Sequence, residues 1–302
     1  MKKVLIILGP TGIGKSEVGI YLAKKFNGEI ISADSVQVYK YFDIGSAKIT
    51  QEQMQGIKHY GIDILQPNEE FNAHQFIQYT KDKINEISER NHLPIIVGGT
   101  ALYIRALVEN YNLGGTQKHE EFREKLENEI EKDGLETVYN KLVQLDEDLA
   151  KKTDKHNKVR VIRAMEIATF GGEKSFSQND EQYEYKIFAL CMDRQSLYER
   201  INLRADKMLD DGIITETQNI IANYGYDLSP LKAIGYKEVV SYLKNEIDKD
   251  TMLSLIKQHS RNYAKRQMTF LRSMKNVTYI DVQNRESGVK SLEKEARKWL
   301  KA

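Results

Sequence analysis

Eight residues near the start of the chain, Gly9-Pro10-Thr11-Gly12-Ile13-Gly14-Lys15-Ser16, carry the spacing G-x-x-x-x-G-K-S. The glycines let the backbone curl until successive N–H groups face one point, and a helix starting after them adds its positive amino end. Lys15 contributes a point charge, and the Ser16 hydroxyl is a hard oxygen suited to Mg²⁺. The segment is a phosphate cradle. It leaves open whose phosphate it holds: a nucleoside triphosphate being hydrolysed, a phosphoryl donor, or a diphosphate on another molecule.

A carboxylate would narrow the choice. Nucleotide hydrolases place an Asp at the end of a later apolar strand, where it holds Mg²⁺. Here the run Leu-Pro-Ile-Ile-Val ends in Gly98-Gly99-Thr100, without a carboxylate. One does follow an earlier run, as Asp34 after Ile30-Ile31-Ser32-Ala33. In a parallel sheet both loops lie at the carboxyl ends of their strands, beside the phosphate loop, which brings Asp34 to the same place. The other use for an aspartate here is as a helix N-cap or turn residue.

The elements that must position these groups follow from the pattern. Over the first hundred residues short β-rich runs alternate with helical ones: KVLIILG, GEIISADS, a third run YGIDILQ and LPIIVGG as strands, with KSEVGIYLAKKF and AHQFIQYTKDKINEISERN as helices. Later YKIFALCM and VTYIDV read as further strands of the same sheet. The alternation predicts an α/β fold, a P-loop NTPase-like parallel sheet flanked by helices. Between Lys118 and Phe170 the pattern turns helical, with Phe122, Leu126 and Ile130 on one face and Gly171-Gly172 as a stop. A helical insertion domain is therefore expected over 113–185, within a catalytic core formed by 1–112 and 186–302.

Bulk properties exclude several classes. A net charge of +1 over 302 residues gives no overall attraction to nucleic acid, so only local clusters can provide it. One exists: from Lys257 to Lys275 there is no Asp or Glu, and Lys257, Arg261 and Lys265 are spaced by four as a basic stripe. Such a stripe suits a phosphate backbone, with salt-dependent binding; a core-covering helix with a solvated basic face is the other reading. A single cysteine, Cys191, excludes an intramolecular disulfide, and the six histidines lack metal-ligand spacing. The apolar run before Gly9 is too short for a secretion signal or a membrane span, so a cytoplasmic protein is expected.

Five segments in order, GPTGIGKS, ISADSVQVYKYFDIGSAK, IIVGGTALYIRAL, LKAIGYKEV and KRQMTFLR, resemble the bacterial tRNA dimethylallyltransferase (isopentenyltransferase) family. The resemblance runs from residue 4 to about 282. It implies transfer of a dimethylallyl group from dimethylallyl diphosphate to N6 of the adenosine next to the anticodon, on its 3′ side, in tRNAs reading codons that begin with U. It implies Mg²⁺ as cofactor, the tRNA anticodon stem-loop as partner, and a monomer. By the same resemblance Asp34 is the general base and Thr100 a substrate contact. The loop Gly9 to Ser16 and Arg204 face the diphosphate. Contacts to tRNA fall to Asp34, Ser35, Val36, Gln37, Thr100, Arg123, Arg160 and Arg163, then Lys232, Gly235, Tyr236 and Lys237, then Lys265, Arg266, Gln267 and Arg272. The family usually has a proline shortly before the arginine pair, where this chain has Lys155 and Lys158. A P-loop small-molecule or nucleoside kinase is the alternative, and an RNA-binding protein with a vestigial loop is a third reading.

Overall fold

A computed structural model describes residues 1–110, 119–171 and 182–302. The chain divides into two compact units, Met1–Val108 with Asp180–Ala302, and Glu109–Asn179. In the first, strands β1 (Lys2–Leu8), β2 (Gly28–Ala33), β3 (His59–Tyr60), β4 (Leu93–Gly98), β5 (Tyr183–Cys191) and β6 (Val277–Asp281) form one sheet. Its order is β3-β2-β4-β1-β5-β6, with every pair parallel. Parallel strands need crossovers, and helices supply them: α1 (Lys15–Phe26), the short α2 (Gln51–Met54), α3 (Ala73–Glu89) and α4 (Ala101–Val108) in the first half. In the second half α9 (Arg194–Asp210), α10 (Ile213–Tyr224), α11 (Tyr236–Leu243) and α12 (Lys249–Arg272) do the same, and α13 (Arg285–Lys301) follows the last strand. Strands β1, β2 and β4 are buried almost throughout, which is why they read as continuous apolar runs rather than alternating ones.

The register decides where the chemistry collects. Leu8 and Ala33 both pair with Gly98, so β1, β2 and β4 end level, and Gly9, Asp34 and Gly99 emerge side by side. A Cβ on Gly98 would stand 2.1 Å from the Ala33 carbonyl oxygen, so only glycine permits that approach. At the opposite end of these strands the buried Glu29 accepts hydrogen bonds from Tyr60 (2.7 Å) and Arg90 (2.8 Å), joining β2 to β3 and to the chain entering β4.

Two expectations need correction. The run YGIDILQ forms only the two-residue strand β3; positive φ at Gly61 and Asp63 turns the chain away, and Lys48 then grips Asp63 (2.6 Å). The insertion does not extend to residue 185, because Tyr183 to Tyr185 pair with Lys2 to Val4 in the sheet. The second unit holds α5 (Glu120–Asp133), α6 (Leu135–Leu145), α7 (Glu147–Lys151) and α8 (Lys158–Phe170), closed around Leu126, Val138, Leu142, Val161 and Met165. Lys118 and Gly172 lie outside the described residues, and Gly171 ends α8 with a positive φ.

Candidate active site

The segment expected to cradle phosphate is the turn from β1 into α1. Gly14, at φ 90°, is the N-cap, and Gly12 also has positive φ, conformations that side chains resist. Lys15 folds back so that Nζ donates to the Pro10 carbonyl at 2.9 Å. Burial and the neighbouring Arg204 pull the Lys15 ammonium down to about 8, with Asp34 opposing. Arg204 donates to Thr11 Oγ1 (2.8 Å) and reaches the Ser46 carbonyl (3.4 Å).

Asp34 holds the turn after β2 and also lies beside the loop. Its Oδ1 accepts from the backbone N–H of Val36 (2.9 Å) and Gln37 (3.2 Å), so one oxygen fixes the turn after β2. The carboxylate also lines two adjoining cavities. One, of about 630 Å³, contains Gly12, Gly14, Lys15 and Ser16. The other, of about 380 Å³, contains Ser35, Val36, Lys232, Lys237 and Arg266. Their shared lining is Thr11, Asp34, Ser46, Arg204 and Tyr263. A carboxylate and a guanidinium thus stand where the space beside the glycine-rich loop meets a second space with a basic wall.

Not every sequence candidate reaches these cavities. Thr100 lines neither; its N–H bonds the Ala33 carbonyl (3.2 Å), just before α4. The Gln37 side chain lines the larger cavity, but its amide is turned inward: the carbonyl accepts from Ser32 Oγ (3.2 Å) and the amide donates to the Ser46 carbonyl (3.3 Å). Tyr236 is fully buried, edge-on to Phe42, with its hydroxyl donating to Glu216 Oε1 (2.7 Å), and it forms part of the packed wall of the smaller cavity. Gly235 turns the chain at φ 99° and donates its N–H to Glu238 Oε2 (2.7 Å). On α12, Lys257 pairs with Asp206 (2.5 Å) and Arg261 donates to Asn202 (2.7 Å), so most of the acid-free stripe finds its acceptors on α9. Lys265, Arg266 and Arg272 remain exposed.

Gln267, expected as an RNA contact, is buried. Its Oε1 accepts from Thr11 N–H (2.9 Å) and its Nε2 donates to the Gly99 carbonyl (2.8 Å), binding α12 to the phosphate loop and to the end of β4. In the second unit Arg123 makes two bonds of 2.6 Å to the buried Glu166, and Arg163 a third at 3.0 Å. These donors hold the Glu166 carboxyl down at about 2 against the opposing effect of burial. Arg160 is exposed, and the helix start that lacks the family's proline is made by Asn157, whose side chain accepts from Arg160 N–H (3.1 Å).

Four groups escaped sequence reasoning. Arg200 donates to the Gly12 carbonyl (2.9 Å), and its spacing of four before Arg204 was the available signal. Tyr263 stands at the cavity junction with Arg266 over its ring at 5.7 Å. Glu216 accepts from Asp43, Ile44 and Gly45 N–H, which shapes the loop presenting Ser46. Arg285 bonds the phosphate loop from α13, and nothing local in the sequence announces it.

The family model described as IPP transferase matches residues 37–274. The chain belongs to the IPP transferase family. A tRNA dimethylallyltransferase from an Exiguobacterium species is 43% identical over 285 residues, covering 93% of this chain and 92% of that protein. The full-length tRNA isopentenylpyrophosphate transferase of Bacillus halodurans superposes with a TM-score of 0.77 at 37% identity, covering 100% of this chain and 97% of that one. A eukaryotic dimethylallyltransferase acting on tRNA also superposes at 0.77, with 27% identity over 95% of this chain and 75% of its own. The parallel sheet and its flanking helices are thus the fold of the IPP transferases, although the phosphate loop, Asp34 and Arg285 lie outside the stretch matched by the family model. Among the described residues no helix is long and apolar enough to cross a membrane.

Proposed function

We propose that this IPP transferase moves a dimethylallyl group from dimethylallyl diphosphate to N6 of the adenosine on the 3′ side of the anticodon, in tRNAs reading codons that begin with U. The products are N6-(dimethylallyl)adenosine and diphosphate. The observation that carries the reading is the junction of the two cavities at Asp34 and Arg204. The diphosphate occupies the larger one, against the N–H groups of the loop, Lys15 and Arg204. The adenine, turned out of the anticodon stack, enters the smaller one beside Ser35 and Val36. The allylic C–O bond breaks with its electron pair leaving on the diphosphate, which fixed donors stabilise as charge develops. The N6 lone pair forms the new C–N bond, and the N6 proton passes to the Asp34 carboxylate. Because Oδ1 is committed to the turn, Oδ2 is the oxygen that takes it.

Among the described residues no group of three or more His, Cys, Asp or Glu could hold a metal. The hard hydroxyl of Ser16 in the larger cavity fits Mg²⁺ and would help hold it, and the ion would neutralise charge on the departing diphosphate. Lys232, Lys237, Lys265, Arg266 and Arg272 of the core, with Arg160 and Arg163 of the insertion, serve the RNA backbone. A cytoplasmic monomer completes the reading. It is tested by incubating the protein with radiolabelled dimethylallyl diphosphate and unmodified tRNA. Label in the RNA is expected. ATP turnover with no label in RNA would overturn the reading in favour of a kinase.

A further inference from the structure

Three successive carbonyls of the loop, those of Gly12, Ile13 and Gly14, accept from arginines of later helices. Arg285, the first residue of α13, donates through Nη1 to the Ile13 carbonyl (3.1 Å) and through Nη2 to the Gly14 carbonyl (2.9 Å). The same guanidinium pairs with Glu17 in the first turn of α1 at 2.7 Å. The contact is close: a Cβ on Gly14 would lie 2.4 Å from Arg285 Nη1. Position 14 is glycine for its left-handed backbone, and a side chain there would also push the Arg285 guanidinium off the loop.

A trans peptide is planar and carries its C=O and N–H on opposite sides. Holding the Ile13 carbonyl outward aims the Gly14 N–H inward, and holding the Gly14 carbonyl outward does the same for the Lys15 N–H. Gly14 and Lys15 both line the larger cavity. Arg200 bonds the preceding carbonyl, of Gly12, but the N–H it would aim, that of Ile13, turns to the Pro10 carbonyl at 3.4 Å. Arg285 thus holds the peptide that aims the Gly14 N–H, and with Val18 N–H (3.4 Å to the same Gly14 carbonyl) the peptide that aims the Lys15 N–H.

We infer that Arg285 is a positioning residue of the diphosphate site: it touches no substrate, but sets the two peptide units whose N–H groups receive the leaving diphosphate. This rests on the reading of the larger cavity as the diphosphate site. Donors fixed before the reaction lower its barrier because they need not reorganise as charge develops. Free loop peptides would have to be turned at each encounter, at a cost in affinity and rate. An arginine suits the task, since its rigid fork spans two adjacent carbonyls where a lysine ammonium serves one.

The test uses the full chain and inorganic diphosphate as probe. Arg285→Ala is expected to weaken diphosphate binding about tenfold, to slow transfer by a similar factor, and to leave affinity for an anticodon stem-loop unchanged. Guanidinium at sub-denaturing concentration should restore much of the loss. Arg285→Lys should fall between the two, having one donor group for two carbonyls. A folded Arg285→Ala variant that binds diphosphate as tightly as wild type would overturn the inference. So would a variant that loses stem-loop affinity to the same extent as diphosphate affinity, or one that guanidinium does not rescue, since either marks a general structural role. Wild-type protein that binds diphosphate but transfers nothing to RNA would strike the proposed function while leaving this positioning role standing.

Discussion

Replacing Asp34 by Asn separates the turn it holds from the proton transfer proposed for it. The side-chain carbonyl of Asn can still accept from Val36 and Gln37 N–H, now met by Asp34 Oδ1 at 2.9 and 3.2 Å, so the turn after β2 should survive. What disappears is the second oxygen as a proton acceptor. A positioned general base is worth ~100- to 10,000-fold in rate, or about 3–5 kcal/mol of barrier. Affinity for tRNA should fall about fivefold at most, the worth of one hydrogen bond to the adenine amine. Asp34→Ala should show the same loss of rate and, in addition, a loss of about 1–2 kcal/mol of stability, because two backbone donors lose their acceptor. The assay is single-turnover transfer of labelled dimethylallyl to an anticodon stem-loop at saturating donor, beside binding measurements and urea melts for each variant. Single turnover keeps product release from masking the chemical step. Transfer by Asp34→Asn within about tenfold of wild type would refute the base assignment. So would a loss of RNA affinity as large as the loss of rate.

The remaining expectations concern charge and packing. Lys15, held at about 8, loses its proton as pH rises through that value, so kcat/KM for the diphosphate donor should decline above it. In Asp34→Asn the decline should begin at lower pH, because the carboxylate that opposes the lowering is gone; a pH profile of both proteins checks this. Glu166 is depressed from 4.5 to about 2, so its contribution to stability is complete above 4.5 and is lost as pH falls through about 2. Glu166→Ala should cost about 3 kcal/mol, the lower part of the range for a broken buried pair since Arg123 and Arg163 keep some solvent, read from urea unfolding. Gln267→Ala strands Thr11 N–H and leaves the Gly99 carbonyl with Ala101 N–H alone, and a rise in KM for the donor larger than that for tRNA is expected from steady-state kinetics.

Much of the site was legible because its signals are local. The spacing from Gly9 to Ser16 fixes a phosphate loop, and apolar runs alternating with helical ones fix a parallel sheet whose carboxyl ends must converge. Motifs show which residues are present, but not which way they point. Gln37 and Tyr236 sit in segments shared with the family, yet Gln37 braces the Ser46 loop and Tyr236 fills the core over Gly45. The stripe on α12 read as free charge because its acceptors, Asp206 and Asn202, belong to another helix. Arg285 lies more than 250 residues from the carbonyls it holds, and no periodicity records such a contact. The brevity of β3 was hidden similarly, since an apolar run looks alike whether it pairs along its length or turns away after two residues.

In the proposed reaction, leaving group and acceptor meet at Asp34 from two separate spaces. Nucleoside mass spectrometry on tRNA recovered after incubation with dimethylallyl diphosphate and Mg²⁺, followed by mapping of the modified position, tests it most directly. N6-(dimethylallyl)adenosine on the 3′ side of the anticodon, formed by wild type and nearly absent with Asp34→Asn, is the expected result. Unmodified adenosine at that position with wild-type protein, or undiminished product with Asp34→Asn, would contradict the account.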